Sequence, residues 1–323
     1  MAGMAATTNS PEGALSERAV PRSVRAAVLI VAGTLALLIV SGLTLKMGSV
    51  SLTWSEVARG LTSDSDPLAR NIVWQIRFPR LVDGMLIGAA LAVSGSLLQG
   101  VTRNPLADPT ILGVTAAAGL ASAIAIVANP QIPQWGIAMA CAGGGLTGAG
   151  VLYFIAYRGA VSPVRLALAG VALSALFGAA IVGLLSSSRT FLQTSLGFLA
   201  GGLYGSEWRD LRAMIPYLVP GFVGAILLSG RLNVLSLGDD VAAGLGVMTD
   251  RTRLAILAVV GVLTAAAVAT AGLVSFVGLV CPHLARYTVG GDNRVLIPVS
   301  ALYGALLVSS ADLIAKLGSY VKG

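Results

Sequence analysis

Of the chain's 323 residues, 56% are hydrophobic and only 11% charged, and the mean hydropathy is +0.86. A soluble domain carries roughly 45–50% apolar and about 25% charged residues, so this composition excludes one and marks an integral membrane protein. The net charge of +7 is spread over the loops, which argues against a nucleic-acid-binding stripe and fits helix ends anchored beside anionic lipid.

Residues 1–20 are polar and Ala-rich and are expected to form a disordered N-terminus. Arg18, Arg22 and Arg25 then precede an apolar run at 26–45. The run is too long for a signal peptide and has no convincing cleavage site, so a retained first helix is expected. Residues 46–80 read as an extramembranous segment with no fold of its own. Further runs near the ~20 residues needed to cross the hydrocarbon core follow at 82–101, 111–128, 136–157, 164–185, 213–229, 254–275, 276–290 and 295–315. That makes nine spans. The eighth is short and follows closely on the seventh, the pattern of a broken or re-entrant element, which is tolerated only inside protein or beside a water-filled cavity. Small-xxx-small pairs at Gly84/Gly88, Gly144/Gly148 and Gly201/Gly205 favour close helix packing. Cys141 and Cys281 lie in apolar surroundings, so free thiols are expected. An inside N-terminus splits the basic residues almost evenly between the faces, and the three arginines before the first span favour that orientation.

Two polar islands interrupt the apolar pattern. In RNPLADPTILG (103–113), Asn104 and Asp108 each precede a proline and are pushed out of the helical region. Arg103, Asn104, Pro105, Asp108 and Pro109 thus form a stiff turn at one membrane face, with Asp108-Pro109-Thr110 expected to start the next helix. In RLNVLSLGDDVAAGLGV (231–247), Leu232, Leu235, Leu237, Val241 and Leu245 have helix-like spacing around Asp239-Asp240. This predicts one or two short amphipathic helices broken at Gly238. A helix lying on the bilayer would prefer Lys and Arg on its polar face, so the two aspartates favour docking into a partner's groove.

No Gly-x-x-x-x-Gly-Lys-Ser/Thr loop occurs, so ATP, if used, is hydrolysed by another chain. Asp83 and Asp312 lie near predicted span ends and no span centre holds a carboxylate pair, which disfavours an ion-coupled carrier. His283 in CPHLAR reads as a helix-end histidine, since metal sites need several converging ligands; no metal is expected.

Three blocks, VWQIRFPRLVDGMLIGAALAVSGSLLQGVTRNPLADPTILGVTAAAG (73–119), LNVLSLGDDVAAGLGV (232–247) and GLVSFVGLVCPHLARYTVGGDNRVLIPVSALYGALLVSSADLIAK (272–316), together resemble the FecCD-type permeases of bacterial ABC importers for iron-siderophore complexes, haem and cobalamin. The resemblance implies an all-α polytopic protein with the type II importer permease fold, usually of ten spans, in the bacterial cytoplasmic membrane. It implies a single permease domain over 21–323, working as a homo- or heterodimer by alternating access. Its partners would be two ATPase subunits that carry the ATP and Mg, and an extracytoplasmic binding protein. No cofactor is expected on this chain and no nucleic acid among its partners.

The same resemblance makes RNPLADP and 232–247 cytoplasmic, with Gly238-Asp239 standing where Gly-Glu is usual. Leu235, Gly238, Asp239, Asp240 and Leu245 become ATPase-coupling residues. Arg77 and Arg80 of IRFPR match external arginines that pair with acids on the binding protein. Lys316 of ADLIAK joins them, keeping the charge of the usual arginine without its bidentate fork. Ser162, Pro163 and Val164 match a cytoplasmic turn that narrows the pathway. Family members usually continue with a tenth span that contributes to the dimer, whereas this sequence stops at LGSYVKG; a weakened dimer is expected. The implied cargo is a ferric siderophore, with haem, cobalamin or a secondary carrier as the alternatives.

Overall fold

Backbone in hydrocarbon must satisfy its own hydrogen bonds, and each of the nine apolar runs contributes a helix to the computed structural model, which describes residues 22–48, 50–63, 66–157, 161–186 and 201–321. The expected disordered segment 1–20 lies outside the described residues. The helices are α1 (Arg22–Lys46), α2 (Trp54–Thr62), α3 (Pro67–Thr102), α4 (Val114–Ala128), α5 (Gln134–Ala156), α6 (Pro163–Ser186), α7 (Trp208–Ser236), α8 (Asp239–Gly244), α9 (Thr249–Ala271), α10 (Val277–Val289) and α11 (Asn293–Val321). Seven of them are long and apolar enough to cross a membrane. The other two expected spans, α4 and α10, have 15 and 13 residues.

The segment 46–80 departs from expectation. Thr53 and Glu56 form a capping box that starts α2, a Thr-x-x-Glu pattern that was legible in the sequence. Asp66 caps α3, its carboxylate accepting the Ala69 N–H at 3.1 Å. Leu45, Leu52, Val57, Val73 and Leu81 close a small core between α1, α2 and α3. The second span therefore starts at Pro67, and IRFPR lies within the helix. Pro79 lacks an N–H and its ring would crowd the carbonyl four residues back. The helix accommodates it through a π-helical stretch at Asn71–Arg77, where the Phe78 N–H reaches Val73 O.

α3 is the central element and packs against α7, α9, α10 and α11. Its Ile87, Ala90, Ala92, Val93, Leu97 and Leu98 are wholly buried. Glycines set the closest approaches: a Cβ on Gly88 would collide with Gly304 O, and one on Gly95 with Gly278 O. Gly144 and Gly148 receive Ala117 and Ala121 of α4. Gly201 and Gly205, expected as a packing pair, lie outside any helix at φ 65° and 78°, conformations that glycine adopts without steric cost. His283 is inside α10 rather than at its end and meets the ring of Tyr287 edge-on at 5.0 Å.

Candidate functional site

The RNPLADP turn begins where Arg103 ends α3 in a left-handed conformation, φ 48°. Asn104 Oδ1 accepts the Leu106 N–H at 3.0 Å. Asp108, almost fully buried, accepts the N–H of Thr110 at 2.8 Å and its hydroxyl as well. The helix expected at Asp108-Pro109 does not form there. A single turn closed by Leu112 N–H on Asp108 O at 3.0 Å gives way at Gly113, φ 79°, and α4 begins at Val114. Asp108 is thus a brace for its own turn.

The second island also divides differently. Residues 232–236 are the last turn of α7, and Leu235, 1% exposed, belongs to the core. The break falls at Gly238, φ 123°, and one six-residue helix, α8, follows. Leu237, Val241 and Leu245 are exposed on it and beside it, as is Asp240. Asp239 faces the other way. Its Oδ1 accepts from Arg253 Nη2 at 2.6 Å and from Arg103 Nη2, while Arg103 Nε also donates to Leu235 O at 3.1 Å. Burial acts to raise the Asp239 pKa, but the Arg253 and Arg103 guanidinium groups outweigh it and hold the carboxyl below the usual range.

Arg253 connects this cluster to the expected gate. Its Nη1 donates to Val161 O at 2.8 Å, and Asp250 Oδ1 accepts the Val161 N–H at 3.2 Å. Ser162 and Pro163 follow, half-buried, and Val164 is exposed at the first turn of α6. The structure so brings together the turn, the expected coupling segment and the residues expected to form the gate, through Asp250 and Arg253, which the sequence reading did not select. A signal existed: Arg251 and Arg253 lie in the first turns of α9, where the helix dipole disfavours cations unless a partner is present.

On the opposite face, Arg77 does not face water. It is 6% exposed, and its Nη1 donates to Leu45 O at 2.6 Å and Lys46 O at 2.8 Å, its Nη2 to Val50 O. It satisfies the Leu45 and Lys46 carbonyls at the end of α1, which have no partner within the helix, and the Val50 carbonyl beyond it. Arg80 and Lys316 do come together, but around an acid: Asp312 accepts from Arg80 Nε and Nη2 at 2.9 and 2.6 Å and pairs with Lys316 Nζ at 2.8 Å. The pair Arg80–Asp312 borders a cavity of about 650 Å³ that Leu203, Tyr204, Val274 and Val308 also line. Among the described residues no group of three or more His, Cys, Asp or Glu could hold a metal ion.

The profile of the FecCD transport family matches residues 34–320. The cobalamin import system permease protein BtuC of Halobacterium salinarum is 42% identical over 249 residues, covering 77% of this chain and 67% of that protein. The Fe(3+) dicitrate transport system permease protein FecD of Escherichia coli is 38% identical over 291 residues, 90% of each chain. A chain of an ABC transporter assigned to the metal-chelate type, in an inward-facing conformation, superposes with a TM-score of 0.79 at 30% identity, covering 90% of both chains. With a profile match over most of its length and the same helical architecture, the chain belongs to the FecCD transport family and is a multi-pass permease subunit of the ABC importers for iron-siderophore, haem and cobalamin compounds, a protein of the cytoplasmic membrane.

Proposed function

We propose that this permease moves a ferric-siderophore complex by alternating access, driven by two separate ATPase subunits. The observation that carries this reading is α8: Leu237, Val241 and Leu245 are exposed beside Asp240 at one membrane face, an apolar and acidic ridge suited to a groove on a basic partner. With the N-terminus inside, that face is cytoplasmic. ATP and Mg belong to the partner, and this chain holds no cofactor. A second permease subunit completes the pathway. α6 carries no charge beyond Arg165 and exposes Leu168, Val171 and Leu176, a wall that holds a bulky chelate weakly enough to release it. Relatives named for ferric dicitrate and iron-hydroxamate favour an iron chelate as cargo. Arg80, Asp312 and Lys316, with one positive charge in surplus, form the external rim that meets acidic residues of a binding protein.

The test is uptake into proteoliposomes containing the permease, its ATPase and its binding protein, offered ferric hydroxamate, ferric citrate, haem and cobalamin in turn. ATP-dependent uptake of an iron chelate is expected. Uptake driven by an ion gradient without the ATPase, or confined to haem or cobalamin, overturns the proposal.

A further inference from the structure

We infer that Arg253 is the positioning residue that links the ATPase-docking segment to the gate at the start of α6; the inference rests on the functional reading of α8 and of Ser162–Val164 given above. Arg253 lies one turn into α9 and is 1% exposed, the largest of the fully buried side chains among the described residues. One arm of its guanidinium holds Asp239, the first residue of α8, at 2.6 Å; the other holds Val161 O at 2.8 Å. Asp250, one turn earlier on the same helix face, accepts the Val161 N–H at 3.2 Å. Both backbone polar groups of Val161 are therefore held by side chains of α9, and α6 begins two residues later.

The two arginines on Asp239 are unequal. Arg103 is 34% exposed and Arg253 1%, so water and salt screen the first pair far more than the second. Separating α8 from α9 would leave the Arg253 cation buried and short of its carboxylate, which is the costly way to break such a pair. Movement imposed on α8 is accordingly passed to Arg253, and through the same planar group to Val161 and the first turn of α6. A lysine in this place keeps the charge but presents a single point donor without the fork that serves two diverging acceptors.

The experiment uses the assembled transporter with its ATPase and binding protein, comparing the parent with Arg253→Lys and, as the screened control, Arg103→Lys. The readouts are ATPase association, the rate of ATP hydrolysis and the cargo moved per ATP. For Arg253→Lys we expect association within error of the parent, continued hydrolysis and cargo per ATP lowered by about 5-fold or more, the low end of coupling between distant sites. Arg103→Lys also loses a fork, to Asp239 and Leu235 O, but a solvent-screened one, and should lower the ratio less than Arg253→Lys does. Parental cargo per ATP in Arg253→Lys, with transport by the parent intact, overturns the inference alone; absence of ATP-dependent transport by the parent overturns the functional reading instead. Should Arg253→Lys fail to assemble, spin labels at Val164→Cys and Val241→Cys in the otherwise parental protein decide the question. The two sites are expected to move together on ATP binding, and a label at 241 that moves while 164 stays in place overturns the link.

Discussion

Arg77 and Arg80 lie three positions apart in one helix, and their surroundings give them opposite roles. Arg77 serves the carbonyls of Leu45, Lys46 and Val50, and a hydrogen bond from a charged donor contributes about 1.5–3 kcal/mol. Arg77→Gln is expected to lower the thermal midpoint in detergent while leaving binding-protein association with the assembled transporter unchanged; a slowed association at parental stability would show an external role after all. Arg80→Ala should instead slow docking, removing the surplus charge at the rim and flattening the salt dependence of association, measured across a salt series. The same division separates the neighbouring aspartates. Asp240→Lys should weaken ATPase binding with little effect on folding, since it is exposed. Asp239 acts within the chain, and its lowered pKa fixes the pH window. A carboxyl whose folded value lies below its unfolded one contributes fully above the unfolded value, about 3.9, and loses that contribution as pH falls through the folded value. The stability difference between the parent and Asp239→Asn should stay constant from about pH 8 to 5 and shrink only below about pH 4, as thermal unfolding across that range would show.

Among the elements, α10 shows how the chain tolerates a span that is too short. Its 13 residues reach about 20 Å at 1.5 Å each, against a hydrocarbon core of about 30 Å. Of the irregular residues before it, Gly272 is buried and Leu273 and Val274 are half-buried, whereas Ser275 and Phe276 are exposed; Leu273, Val274 and Ser275 line the cavity beside Arg80, a setting in which irregular backbone is tolerated at membrane depth. Pro282 has no N–H for Gly278 O, and the almost fully buried Gln99 supplies a donor from α3, its Nε2 lying 3.4 Å from Gly278 O and 3.3 Å from Leu279 O. The same crossing depends on Gly95, where an added methyl would overlap the Gly278 carbonyl. Backbone cannot yield as a side chain does, so Gly95→Ala should cost about 1–3 kcal/mol or more. Gly143→Ala on α5, where a Cβ meets nothing within 4 Å, should be neutral or mildly stabilising. Thermal unfolding of the two variants in one detergent tests the contrast; equal midpoints would refute it.

For the whole molecule, the two charged clusters mark opposite membrane faces. Arg103, Asp239 and Arg253 lie at one, Arg80, Asp312 and Lys316 at the other. The N-in orientation predicts that a cysteine replacing Asp240 reacts with a membrane-impermeant thiol reagent only from the cytoplasm. One replacing Arg209, whose side chain is 70% exposed, should react only from outside. Native Cys141 and Cys281 are both buried and should remain silent. The reverse labelling pattern in right-side-out vesicles would invert the topology and, with it, the assignment of α8 to the ATPase side.

Helix existence was legible in the sequence because it depends on near neighbours: an apolar run in hydrocarbon has only the helix open to it, and all nine runs contribute one. Gly238 broke the second island where its neighbours indicated, and Asn104 and Asp108 left the helix ahead of their prolines. Boundaries were less legible. Residues 46–80 read as an extramembranous segment, but the packing of α2 against α3 carries the helix back to Pro67, with a π segment absorbing Pro79. Partner choice was not legible at all. An arginine near a helix end reads the same whether it meets water, the carbonyls of another helix or an acid 232 positions away, as Arg80 meets Asp312. Leu235 and Asp239 share one amphipathic pattern with Asp240 and Leu245, yet the first is core and the second an internal anchor. The sequence determined which segments cross the membrane and where they turn, since hydropathy and backbone sterics act over a few residues. The assembly of α3, α7, α9 and α6 decided which charges pair, because a long cationic side chain finds its acceptors only once separate helices have packed.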